Sequence, residues 1–414
     1  MVPPANHEIS GVAEIESFKL IGRFSFFRVD WFAIAVLIIL SAATFTPVVH
    51  AMIPRHGSDH GPHLRVAAQL AETGQILRPQ FLYHMCIAGV YWLLNGHISI
   101  ETAALIVEVA FRASLSVLIY IFFCWVWERP RTSRATALFV VLALGLTLVA
   151  PINFLSWSEG QDGRLSGGYN LTNVYHNPTS ELLEPLAFAF FILIIPRLLR
   201  SPSENRRIIW LVAATLIVLG TLAKPNYTIV ILPVMGLIGL YRFWKKEAFD
   251  WFLFIIGIII PAGIVLAWQL NFHGEVQGRG FAFSLFHFSH PHFPEMPLSL
   301  LFPLAVYFLY LKDARKDIIF NLSWLVFGVG LAYQYMFIEL NSGSGRNFVH
   351  GARVSLLIVF IVAMAFLLKQ NIDSFKRSSW KLIACMTIFA LHVICGFYWY
   401  YVHLVDENFQ RWWQ

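Results

Sequence analysis

Long apolar stretches alternate with short polar segments along the whole chain, and their lengths set the first expectation. A bilayer core takes about 20 apolar residues per helix, within a range of about 17 to 25. Runs of that kind fall at 31–52, 103–127, 136–155, 181–199, 208–223, 226–241, 250–270, 298–311, 318–338, 353–369 and 381–402. The fold class expected is therefore all-α, a polytopic transmembrane helical bundle of about eleven spans forming a single integral-membrane domain over residues 1–414. The run at 81–95 (FLYHMCIAGVYWLLN) is apolar but too short to cross comfortably. It is read as an external helix lying on, or dipping into, the membrane surface. The first run, from Trp31, is too long for a signal and lacks a small-residue cleavage site, so it is expected to remain as the first span.

Between residues 53 and 102 lies the first external loop. Within it Pro62 suits the first turn of a helix and Gly74 its end. Val66, Ala67, Leu70 and Ala71 recur at helical spacing, with Arg65, Gln69 and Glu72 opposite. The pattern predicts a short amphipathic surface helix. Further external loops are expected at 156–180, 271–297 and 339–352, and residues 1–30 form an amino-terminal segment.

Charge orients this bundle. Lys19, Arg23 and Arg28 precede the first span; Arg129, Arg131 and Arg134 follow the second; Arg197, Arg200, Arg206 and Arg207 follow the fourth. Arg242, Lys245 and Lys246 follow the sixth, Lys312, Arg315 and Lys316 the eighth, and Lys369, Lys376, Arg377 and Lys381 the tenth. Basic residues gather on the cytoplasmic side of membrane proteins, so the amino terminus is expected to be cytoplasmic and the carboxyl terminus outside. Were 81–95 to cross, Arg129, Arg131 and Arg134 would change sides and the alternation would break. The localisation expected is a multi-pass cell (inner) membrane protein with its active face periplasmic or extracellular.

Composition agrees. Only 13% of residues are charged and 57% are hydrophobic, against about 25% charged in soluble domains. The formal net charge of +6 sits in loops where orientation demands it, so no nucleic acid partner is implied. Cys86, Cys124, Cys385 and Cys395 are scattered without metal or disulfide spacing. Asn170-Leu171-Thr172 matches a glycosylation sequon that carries little weight without a known host.

Nearly every unusual polar cluster then falls on the outer side. Asp59 and His60 precede the amino terminus of the surface helix, where free N–H groups attract anions. Asp59 either caps that helix or serves as a carboxylate base that takes a proton from an acceptor hydroxyl. His56, His60 and His63 with Asp59 admit a divalent metal, but Gly57, Gly61 and Pro62 break the helix between them, so no metal or other cofactor is assigned. In Tyr175-His176-Asn177-Pro178-Thr179, Pro178 sits close to the start of the fourth span, with Glu181 and Glu184 in its first turns. His176 and Asn177 either cap that helix or recognise substrate hydroxyls. Lys224-Pro225-Asn226 forms the corner between the fifth and sixth spans, where a lone lysine breaks the charge bias and a phosphate contact is plausible. Glu339, Arg346, Asn347, His350 and Arg353 surround a glycine turn able to cradle a pyrophosphate, or else Glu339 and Arg346 form a surface salt bridge. Gly278-Arg279-Gly280 and His287, His290 and His292 are weaker signals. Within the second span, Glu108 and Arg112 lie four residues apart and are expected to pair with each other. No chain of midplane carboxylates is visible, which weakens a proton-coupled transporter.

Asp59-His60 in a first external loop, the amphipathic helix and then Phe81-Leu82-Tyr83-His84 resemble the polytopic glycosyltransferases of the GT-C superclass. Within it the chain is similar to bacterial membrane proteins of surface-polysaccharide loci in its HNPT stretch (His176 to Thr179), its KPN corner (Lys224 to Asn226) and its Glu339 with Gly345 to Phe348. The resemblance implies a polyprenyl-(pyro)phosphate-linked sugar donor, a glycan or lipid acceptor at the outer face, and contact with membrane lipids. It also implies that an acidic residue of the first external loop is the catalytic base, a position only Asp59 matches. The chain departs from larger members in lacking a soluble carboxyl-terminal domain, which leaves acceptor choice open. On this reading Asp59 and His60 are the catalytic candidates, with His60 or His176 orienting hydroxyls. His176, Asn177, Lys224, Asn226, Glu339, Arg346, Asn347, His350 and Arg353 are the candidates for holding substrate. The alternatives are a repeat-unit polysaccharide polymerase and, in a different class, a lipid-linked oligosaccharide flippase or other transporter.

Overall fold

Hydrocarbon offers no partner to a free backbone N–H or C=O, so a chain segment that crosses it folds as a helix. The computed structural model describes residues 30–127, 132–152, 172–173, 175–200, 206–277, 280–285, 296–340, 347–371 and 379–405, and each of the eleven apolar runs carries a helix. In chain order these and the surface helices are α1 (Trp31–Met52), α2 (His60–Thr73), α3 (Leu82–Leu93), α4 (Ile100–Val126), α5 (Ser133–Leu146), α6 (Pro178–Leu193), α7 (Arg206–Ala223) and α8 (Asn226–Trp244). There follow α9 (Trp251–Phe254, a π segment Ile255–Ile259 and Ile260–Gln277), α10 (Met296–Leu309), α11 (Ile318–Met336), α12 (Val349–Gln370) and α13 (Trp380–Val405). Seven of them, α1, α4, α8, α9, α11, α12 and α13, are long and apolar enough to cross a membrane, so the chain is a predominantly helical, multi-pass membrane protein.

Local chemistry places the helix ends. The Asp30 carboxylate accepts from the N–H groups of Phe32 and Ala33 at 3.0 and 3.3 Å, and the Ser99 hydroxyl accepts from Thr102 N–H at 3.2 Å. These side chains satisfy donors that a helix start leaves open. Gly74 ends α2 with φ +71°, a left-handed conformation that glycine adopts without strain. The expected amphipathic stripe is present: α2 buries His60, Leu64, Ala67 and Leu70 and leaves Arg65, Gln69 and Glu72 more exposed.

Two helices form the centre. The whole apolar window of α12 is buried, and almost every residue of α6 is buried too. A helix apolar on all sides belongs inside a bundle; α12 packs against α11, α8, α10 and α6. The amino termini of both central helices lead into the polar cluster described below.

Two departures from the sequence reading have physical causes. The third apolar run, read as 136–155, is helical only to Leu146. Beyond it the backbone is satisfied without a helix: Ala150 N–H donates to His392 O at 3.1 Å, His392 Nδ1 lies 2.7 Å from Ala150 O, and Ile152 N–H donates to Leu298 O at 3.2 Å. Gly396 makes this approach possible, because a Cβ there would lie 1.5 Å from the Leu148 carbonyl oxygen. The second departure is a two-stranded antiparallel ribbon, β1 (Gly280–Phe283) and β2 (Phe337–Leu340), in segments expected to be loop or the end of a span. It pairs Phe281 with Glu339 and Phe283 with Phe337, and Phe348 packs on Phe281 and Phe337.

Candidate functional site

Four helix starts meet on one side of the bundle: those of α2, α6, α8 and α12. Residues far apart in sequence make the junctions. Asp59 N–H donates to His176 O at 3.1 Å, and Asn226 Nδ2 donates to Asn347 O at 2.6 Å. Asn347 in turn donates to the Glu339 carboxylate, which brings the ribbon to the same place. Helix starts carry unpaired N–H groups and the positive end of the helix dipole, so their convergence favours negative charge.

Asn177 lies at the centre of the cluster. Its Oδ1 accepts from Lys224 Nζ at 3.0 Å, Thr179 Oγ1 at 2.9 Å, Ser180 Oγ at 3.1 Å and Ser180 N–H at 3.3 Å. The last of these is the cap of α6. Its Nδ2 donates to Asp59 Oδ2 at 2.8 Å. Asp59, for its part, occupies the cap position of α2 but makes no cap hydrogen bond with its side chain. The capping alternative for Asp59 therefore falls, while capping is one of two tasks for Asn177.

Lys224 is buried, and its ammonium donates to neutral oxygens: Asn177 Oδ1, Ser180 Oγ at 3.0 Å and Thr179 Oγ1 at 3.4 Å. It forms no ion pair among the described residues. Burial pushes its pKa down to about 7, opposed by Asp59 and Glu339 and assisted by Arg353. Burial likewise raises the Asp59 carboxyl above its ordinary range, against the pull of Lys224, His60, the Asn177 hydrogen bond and Arg78. Ser180 Oγ also meets His350 Nδ1 at 2.8 Å. Arg353 is buried one turn further along α12.

The remaining candidates divide. His176 is held by its carbonyl against Asp59, and burial keeps its imidazole neutral. His60 points away from Asn177 into the bundle, where its Nε2 lies 3.0 Å from Glu108 Oε2 and its Nδ1 meets Ser58 Oγ. Burial opposes its proton, but Glu108 outweighs it and raises the His60 pKa. His63 pairs with His84 at 2.9 Å, and His56 is exposed, so the three histidines face different ways. Among the described residues no three His, Cys, Asp or Glu side chains come together as a metal site. Arg346 lies outside the described residues, as do Gly278, Arg279, His287, His290 and His292.

The expected Glu108–Arg112 pair does not form. Glu108 accepts from His60 and from the Tyr83 hydroxyl. Arg112 instead bonds Glu181, lies 3.6 Å from Glu184, donates to Asn173 Oδ1 at 2.8 Å and sits over the rings of Phe45 and Tyr175. Both groups are on the buried face of α4, where partners from other helices replace the neighbour one turn away. Ser58, Tyr83, Glu108 and Ser180 were not singled out from sequence as site residues; a carboxylate inside a membrane helix was the available signal. Compared with models of known protein families and with curated proteins, the chain matches none.

Proposed function

We propose that this protein is a GT-C-like glycosyltransferase of eleven spans that moves a sugar or glycan from a polyprenyl-(pyro)phosphate carrier to a glycan or lipid acceptor. The cluster lies, on this reading, at the outer face of the cytoplasmic membrane. One observation carries the proposal: a carboxylate excused from capping and a buried ammonium bonded, among the described residues, to neutral groups share one amide bridge at converging helix starts. Asp59 accepts the proton of the acceptor hydroxyl. The acceptor oxygen bonds to the anomeric carbon as that carbon's bond to the phosphate oxygen breaks. The electron pair leaves on the phosphate, where Lys224, Arg353 and the helix-start N–H groups take up its charge. His60 braces the Asp59 loop through Glu108 rather than touching the sugar.

Removing the gene from its host, and restoring it either intact or as Asp59→Asn, tests the proposal by mass spectrometry of surface glycans and lipid-linked intermediates. A glycan lacking one sugar identifies a transferase, and single unpolymerised repeat units identify the polymerase variant of the same chemistry. Intermediates trapped on the cytoplasmic side indicate a transporter, and normal glycan with the Asp59→Asn protein at wild-type level removes Asp59 as the base.

A further inference from the structure

Asn177 can be oriented without ambiguity. Ser180 N–H and the Lys224 ammonium can only donate, and they face the same amide atom at 3.3 and 3.0 Å. That atom must be the oxygen, because a flipped amide would set NH₂ against two obligate donors. The amide nitrogen is then committed to Asp59 Oδ2 at 2.8 Å, which it can meet only as a donor. One side chain thus stabilises the ionised carboxylate with its nitrogen and the ammonium with its oxygen.

A direct pair between the carboxylate and the ammonium would cover the lone pair that a base needs; the amide instead meets each charge by a separate hydrogen bond. Other charged groups lie around the pair. Lys224 is faced by Asp59 and Glu339 and repelled by Arg353, and Asp59 is faced by Lys224, His60 and Arg78. The hydrogen bond to Asp59 Oδ2 comes from the neutral Asn177 amide.

We infer that Asn177 is a positioning residue that keeps Asp59 and Lys224 ionised, through an amide whose two ends serve the two charges. The inference rests on the glycosyltransferase reading for its purpose, but its test does not need turnover. Two substitutions retain a helix cap: Asn177→Asp keeps size and capping oxygen, and Asn177→Ser keeps a cap but is too short to reach Asp59. If Asn177 only caps α6, Asn177→Ser leaves Asp59 as it is, and Asn177→Asp moves it only through the charge it adds.

The titration of Asp59 is read in the detergent-solubilised full chain by infrared difference spectra of the carboxyl band, with Asp59→Asn as the blank. In both variants the midpoint is expected to rise by at least about one pH unit, a tenfold gain in proton affinity. Asp59 loses its donor in each case, and in Asn177→Asp it gains a like charge as well. An unchanged midpoint in both overturns the inference. A rise in Asn177→Asp alone also overturns it, because the new charge and not the lost donor would then be the cause. If the midpoints rise while no glycan defect follows loss of Asp59, the bridge stands and the transferase reading fails. If loss of Asp59 abolishes transfer while the midpoints stay unmoved, the transferase reading stands and the bridge fails.

Discussion

Two buried polar clusters share helix α6 and handle charge in opposite ways. One turn into the helix, Glu181 and Glu184 close directly on Arg112, which is also held by Asn173 and flanked by Phe45 and Tyr175. At the start of the same helix, Asp59 and Lys224 each bond Asn177 and form no ion pair with each other. The first arrangement ties α4 to α6 and encloses the guanidinium among its partners. The second keeps its charges separate, which is what a site for proton transfer and anion binding requires. On the proposed function, the paired charges serve the fold and the insulated ones serve the chemistry.

The comparison breaks most readily at Arg112. Arg112→Leu strands two buried carboxylates, and a broken buried pair costs about 3–5 kcal/mol. Little monodisperse protein should be recovered from solubilised membranes. Lys224→Met strands no carboxylate paired with it, so recovery close to the wild-type level is expected. Equal loss in both variants would erase the distinction between the clusters.

Next in size is the base. Asp59→Asn preserves volume and should lower transfer by about 10²–10⁴-fold, the usual contribution of a positioned acid or base, with recovery unchanged. A smaller effect sharpens the role of Lys224. Its ammonium is lost as pH rises through about 7, whereas Asp59 must be ionised and its pKa is raised. The kcat/KM profile should therefore fall on the acid side as Asp59 gains its proton, and fall above about pH 7 by up to about tenfold per unit. Lys224→Arg holds its charge throughout, so the alkaline limb should vanish in that variant; an unchanged limb assigns it to another group. The smallest effect is expected for Glu184→Gln, whose contact with Arg112 spans 3.6 Å while Glu181 stays closer. Its thermal midpoint should move less than that of Glu181→Gln, and the reverse order would contradict the account of this network.

Much of the bundle was legible because hydrocarbon enforces one backbone solution and local residues mark its ends. Pro178 at the first turn of α6 and Gly74 after α2 stand where their backbone preferences place them. The fold also brings together several polar residues that the sequence marks: Asp59, Asn177, Lys224, Asn226, Asn347 and His350. Pairings between distant segments were not legible. Glu108 and Arg112 carry a local spacing that predicts a pair, yet burial delivers them to His60, Tyr83 and Glu181. The ribbon of Gly280–Phe283 with Phe337–Leu340 joins strands with α10 and α11 between them, so no turn signal announces it. The short α5 depends on Gly396 and His392, far along the chain. Most elusive was the bridging of Asp59 and Lys224 by Asn177, because spacing reveals neither which amide atom faces which charge nor that the charges stay apart.

On the proposed function, this insulated pair handles a lipid-borne phosphate. Native mass spectrometry of the detergent-solubilised full chain, titrated with a polyprenyl monophosphate, tests it most directly. Saturable binding is expected, weakened at least tenfold in Lys224→Met and retained in Asp59→Asn. Equal binding by wild-type and Lys224→Met protein would contradict it.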